Sequence, residues 1–277
     1  MRSMSKYEIS LDLSDYGILD EFALLARQDY NLGNQGKWFN AFRGGLYGFH
    51  SRLHGFATHY NTVHAWIPVP RIPSETEHHL ASIFFCMDSA VECLTFAVNA
   101  LGYASEPNLF RDITSERALR HISPKDVLGN PFISPPQEPL SGYKTLFPTF
   151  QSYWQSKREL LSIIIEQHDV SKHRETIFVG GMARLDPPPG FYESLGIKDN
   201  ATAESHFWPM AEIILQKDPK SVRMGRTPQT TSDSILLEDV ANDFYDFLRG
   251  SSQKLIQDAK TYIKLNYDKF LENKENP

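Results

Sequence analysis

Between Phe42 and Ile67 the apolar residues Phe42, Leu46, Phe49, Leu53, Phe56, Tyr60, Val63 and Ile67 recur alternately four and three positions apart. On an α-helix that spacing gathers all of them into one stripe, whereas on a strand it would scatter them over both faces. The sequence therefore predicts a helix of about seven turns whose heptad-like seam must be buried against another element. Pro68 and Pro70 end it, because proline has no amide to continue the ladder. A second long helix starts at Pro73 and Ser74, where the Ser74 hydroxyl can cap the Glu77 amide and the Glu77 carboxylate can return to the Ser74 amide. Its seam is Leu80, Phe84, Met87, Val91, Leu94, Val98 and Leu101, with Gly102 placed to close it. Two such helices joined by a short proline-rich connection are expected to pack antiparallel.

A third helical pattern begins at Phe147 and runs into the polar cluster HDVSKHR, then into the extended run TIFVGG. Phe147, Phe150, Trp154, Leu161, Ile164 and Ile165 share one of its faces, and His168 continues the stripe. A last helix from Asp233 carries Leu236, Val240, Phe244, Phe247, Leu248, Leu255, Ile256 and Ile263, with Gly250 as a break point in its middle. Residues 104–145 hold six prolines and little periodicity, so they read as a surface excursion with short helices near 115–121 and 124–128. Residues 7–13 read as a short strand and 18–27 as a short helix, while TIFVGG, DPPPG, AEIILQK and SVRMGRT within 175–231 read as two to four short strands. The expected fold is mainly α. It is a single domain over 1–277: a bundle of about five main helices (15–103, 147–174 and 233–270), the loop-rich excursion 104–145, and a small β insertion at 175–231.

Hydrophobic content of 41% and charge of 22% fit a folded chain with a substantial core. A formal net charge of −6 provides no global field to attract a polyanion. Cys86 and Cys93 lie seven residues apart, about 10 Å along a helix axis, which is beyond disulfide reach. They read as buried thiols of an intracellular protein. The N-terminus has no signal-peptide core and no uninterrupted apolar run reaches bilayer length, so a cytoplasmic protein with no membrane partner is expected. Ten histidines without an HExxH arrangement predict no metal. The adjacent His78 and His79 point about 100° apart, which makes them poor joint ligands. There is no glycine-rich phosphate loop, nucleophile elbow or dinucleotide fingerprint, so no cofactor is expected. Lys217, Lys220, Arg223 and Arg226 form a local basic cluster, read as a surface ribbon or a phosphate contact. Asp88, Glu92 and Asn99 lie off the second seam and read as a solvated face or satisfied polar contacts.

Two constellations can carry chemistry. Arg43, Tyr47, His50, His54 and Asn61 fall within about 40° of one line on the first helix. The stripe fits a groove where a guanidinium holds a phosphate and an imidazole moves a proton, and equally a histidine-rich edge of a bundle. Gly44, Gly45, Gly48 and Gly55 on the same helix imply close approach of another backbone. In the second constellation Asp169 and His173 are four apart, so the carboxylate can orient the imidazole as a general base; His168 and Lys172 share that spacing. The alternative is that Lys172, His173 and Arg174 complement the negative end of the helix.

The HDVSKHR run at the polar end of a long helix resembles the part of HEPN-type domains that carries an Arg-Asn pair followed shortly by His, with His168 and Asp169 standing in those two positions here. Arg43 and His50 match the family's looser spacing of Arg, four to six residues, His. HEPN proteins are helical bundles, often dimeric, and many are metal-independent ribonucleases of toxin or defence systems. The resemblance implies catalytic roles for Arg43, His50, Asp169 and His173: His173 or His50 acts on the 2′-hydroxyl or leaving group, and Arg43 steadies the phosphate. Tyr47, His54, Lys172 and Arg174 would then touch the RNA. The competing expectation is a non-catalytic interaction module, a homodimer or a subunit of a larger assembly.

Overall fold

The computed structural model describes residues 35–66, 73–130, 136–173, 212–214 and 234–262. The elements expected at 7–13 and 18–27, Arg174, the basic cluster from Lys217 to Arg226, and all of the 175–231 insertion except 212–214 lie outside them. The fold is mainly α, a helical bundle. Its described residues divide between two compact units, one drawing on residues 54–66, 73–88, 160–173, 212–214 and 234–245, the other on residues 35–53, 89–130, 136–159 and 246–262.

Helix α1 spans Gln35–Trp66 and α2 spans Pro73–Ser105. The described seam residues of α1, from Phe42 to Val63, are all at most 2% exposed. The two helices run antiparallel. In one unit Gly45 lies against Ala97 and Gly48 against Cys93; in the other Gly55 lies against Cys86. Glycines at these points let the α1 backbone approach α2, as the sequence implies, whereas Gly44 faces open space and nothing in the structure explains it. A Cβ at Gly45 would sit 2.9 Å from Ala97 Cβ, Ala97 N and the Cys93 carbonyl oxygen. Two of those atoms are backbone and cannot step aside. Gly45→Ala is therefore expected to destabilise the protein by about 1–3 kcal/mol despite alanine's better helix propensity, read from the urea unfolding midpoint.

Within α2, Glu77–Ser105 is long and apolar enough to cross a membrane by length and composition, but 67% of that window is buried inside the fold. Its apolarity is that of a core helix. Gly102 does not close α2, which continues to Ser105. The glycine instead makes room for the Phe110 ring, which a Cβ there would overlap.

The excursion is not a surface loop. It contains helices α3, Glu116–Leu119, and α4, Lys125–Leu128, and it buries Phe110, Ile113, Val127 and Leu128. Polar contacts hold it down. The Asn99 side chain pairs with both backbone groups of Arg111 at 2.9 and 3.0 Å, and Arg111 Nε and Nη2 donate to Asp126 Oδ1 at 3.1 and 2.9 Å. Asp126 is 1% exposed and also accepts from the Ser123 amide at 3.1 Å. Low periodicity hides this, because the buried residues are anchored singly rather than along a stripe.

The excursion leads into helix α5, Ser141–Leu146, and the third helical pattern is two helices, α6, Pro148–Ser156, and α7, Arg158–His173. Pro148 separates α5 from α6 by pushing Phe147 out of helical geometry to φ −131°, ψ 52°. The break within the pattern lies at Lys157, whose amide turns back to the Trp154 carbonyl at 3.1 Å. The apolar stripe persists across that break, with only Ile165 of its predicted members half-buried. Strand β1, Glu212–Ile214, pairs antiparallel with β2, Ser234–Leu236, in the register Ile213 to Ile235. Helix α8, Leu237–Tyr262, follows directly and passes Gly250 without a break. That glycine leaves space for the Tyr153 ring.

The amino end of α6 is satisfied from α8. Pro148 has no amide to satisfy, Asp258 Oδ2 accepts from Thr149 N and Phe150 N at 2.8 Å each, and Oδ1 accepts from Thr149 Oγ1 at 2.7 Å. The next amide, Gln151 N, reaches the Phe147 carbonyl at 2.9 Å. Further along the same antiparallel pair, Trp154 Nε1 donates to Ser251 Oγ at 3.0 Å and Tyr153 stacks on Phe247.

Candidate functional site

Helices α2 and α7 bring together two residues 80 positions apart. His168 Nδ1 donates to Asp88 Oδ2 at 2.5 Å, and the side chains keep only 10% and 11% of their surface. Asp88 stands beside the α2 seam rather than on it, and His168 extends the buried stripe of α7. Their meeting places a polar pair at the margin of the core. Phe85, one turn before Asp88, packs edge-on against the imidazole at 5.4 Å between centroids and is itself 41% exposed. With Nδ1 bound to the carboxylate, the other ring nitrogen is the basic one. Among the described residues the bond to Asp88 is the imidazole's only hydrogen bond. Lys172, four residues on along α7, is exposed and lies on the same side of the helix as His168.

This is the carboxylate–imidazole arrangement that the sequence places at Asp169 and His173, built from different residues. Asp169 is half-buried, and the His173 side chain lies outside the description, so that pair does too. Asp88, which reads from the sequence as a solvated or satisfied residue, is the partner. The available signal was its sign: a carboxylate beside an apolar seam on a helix that must be covered.

The Arg43 guanidinium lies 4.9 Å from the Tyr47 ring centroid and 5.7 Å from that of Phe39, and it donates to the Tyr47 hydroxyl. Tyr47 is 53% exposed. Its ring and Arg43 form a surface cation–π cluster, a contact of about 0.5–1 kcal/mol at exposed sites. His50 is half-buried against Phe49, and His54 is exposed. Arg43, Tyr47 and His50 belong to one unit, whereas His54, Asp169 and Lys172 belong to the other.

A third cluster escapes the sequence reading. His59 of α1 and His79 of α2 face each other with their Nδ1 atoms 2.8 Å apart, and His78 lies beside both, at centroid distances of 6.5 and 5.6 Å. Burial, followed by the neighbouring imidazoles, lowers the pKa of His59 and of His79. The antiparallel register explains the meeting: from the Gly55–Cys86 contact, one turn along α1 and about two back along α2 lead to 59 and 79.

No protein-family model matches the chain, and no curated protein or solved structure matches it either. Among the described residues no group of three or more His, Cys, Asp or Glu side chains is arranged to hold a metal ion.

Proposed function

We propose that this protein cleaves RNA without a metal, with His168 as the proton-moving group, Asp88 as the residue that positions it and Lys172 as a cation for the phosphate. The observation that carries the reading is the 2.5 Å bond from His168 Nδ1 to the Asp88 carboxylate. RNA is the substrate that such a site suits, because it contains its own nucleophile. The basic imidazole nitrogen takes the proton of a 2′-hydroxyl, that oxygen attacks the adjacent phosphorus, and the 5′-oxygen leaves and takes a proton from water, while the imidazolium returns its own to solvent. The products are a 2′,3′-cyclic phosphate and a 5′-hydroxyl. General acid–base help of this kind is worth about 10²–10⁴-fold in rate. The HEPN resemblance points to the same reaction but places it on His50 or His173.

The test is incubation with labelled RNA and with DNA of the same sequence, in EDTA, for the wild type and for His168→Ala, His50→Ala and His173→Ala. RNA cut to cyclic-phosphate ends, DNA untouched, and loss of activity in His168→Ala with helical circular dichroism retained is the expected result. Intact RNA with the wild type, or undiminished cleavage by His168→Ala, overturns the proposal. The Arg43–Tyr47 cluster supports a second reading, a protein–protein interaction module, since Arg and Tyr are the residue types that anchor interfaces. A wild-type dimer or hetero-complex in light scattering that Tyr47→Ala dissociates would favour it.

A further inference from the structure

We propose that His59 and His79 form a two-histidine clamp for a transition-metal ion of the Zn2+ class, joining α1 to α2. Two ring nitrogens 2.8 Å apart cannot both present lone pairs, nor both present hydrogens. An electrophile has to lie between them. In the metal-free protein that electrophile is one shared proton, carried on the Nδ1 of either ring. A zinc ion does the same work with two bonds of about 2.0–2.1 Å, which at a tetrahedral angle sets the nitrogens about 3.3 Å apart. The rings therefore need to separate by only about half an ångström, within the reach of small side-chain rotations, and the displaced proton passes through solvent to the Nε2 of its own ring, so that both rings ligate as neutral imidazoles.

The surroundings fit that ion. Both imidazoles are only partly buried, so an ion and its waters can reach them. Their neutral forms, the ones that ligate, are favoured by burial and by mutual repulsion. The chain as it stands offers two nitrogens rather than a complete coordination sphere. His78 beside them, and Glu75 one turn before His79 and exposed, are the side chains that rotation would bring in, with water completing four ligands. Sequence alone dismisses His78–His79 because adjacent residues diverge. The second ligand comes from the neighbouring helix instead.

The experiment titrates the full chain with Zn2+ alone against a chromophoric zinc indicator, and follows thermal unfolding with and without Zn2+. The expected result is saturable binding of one equivalent and a raised unfolding midpoint. His59→Ala and His79→Ala should each weaken binding about tenfold or more, a loss at least as large as that seen for groups one shell further out. His59→Gln and His79→Gln, which keep bulk and polarity, guard against misfolding and should lose binding equally. No saturable binding by the wild type, or binding that survives substitution of both histidines, overturns the proposal.

Discussion

Asp88→Asn should leave the fold in place and reduce RNA cleavage by about two orders of magnitude or more. Asparagine has the shape of aspartate, and its carbonyl oxygen can still accept from His168 Nδ1. Stability measured in urea should therefore change by about 1 kcal/mol or less, as for a neutral hydrogen bond replacing a charged one. The rate has no such substitute. When His168 takes a proton it becomes a cation, one-tenth exposed, and only a carboxylate beside it offsets that charge. The amide can also flip and offer its N–H2, holding the wrong ring nitrogen. The pH–rate profile separates the two roles. A positioning carboxylate predicts a lower plateau in the variant, whereas a purely structural Asp88 predicts an unchanged profile.

The second large effect is on stability. Asp258→Ala should cost about 3–5 kcal/mol, because it strands two amides and a hydroxyl at the amino end of α6 at once. Hydrogen bonds to a charged acceptor are worth about 1.5–3 kcal/mol each, and the carboxylate also faces the positive end of the α6 dipole. The site is 1% exposed, so water replaces the lost oxygens poorly. At roughly 2–4 °C per kcal/mol for a chain of this size, the thermal midpoint should fall by about 10 °C. Asp258→Asn, which keeps one acceptor but no charge, should lie between. An alanine variant within about 1 kcal/mol of the wild type would show that solvent enters and satisfies the helix end.

The long helices are legible in the sequence because each carries a periodic stripe. Every described apolar residue of the Phe42 seam is buried, and the antiparallel packing of α1 and α2 follows from the short connection. What periodicity cannot report is a residue that acts across the bundle. Asp88, Asp258 and His59 are ordinary polar residues on their own helices, and their roles depend on which turn of a neighbour they face. The Lys157 break is a different kind of miss. No proline or glycine marks it, and the apolar stripe continues through it and suggests one rod where there are two. The glycine rule fails in the same direction: Gly102 and Gly250 read as helix ends or breaks, whereas both serve as recesses for aromatic rings. Arg43, His50 and His54 share a line on α1, yet a line shows alignment, and says nothing of what stands opposite.

The glycine contacts along α1 also make α2 a gauge of its own motion. Cys86 Sγ is set against Gly55 in one unit and Cys93 Sγ against Gly48 in the other, each where a Cβ would lie 2.8 Å away. Cys86 is buried as well, which leaves no room for an alkylating reagent, whereas Cys93 is half-buried and burial raises its pKa. Cys86 can react only when the helices part at Gly55. Its modification rate thus becomes a clock on that helix, timing how often its unit opens.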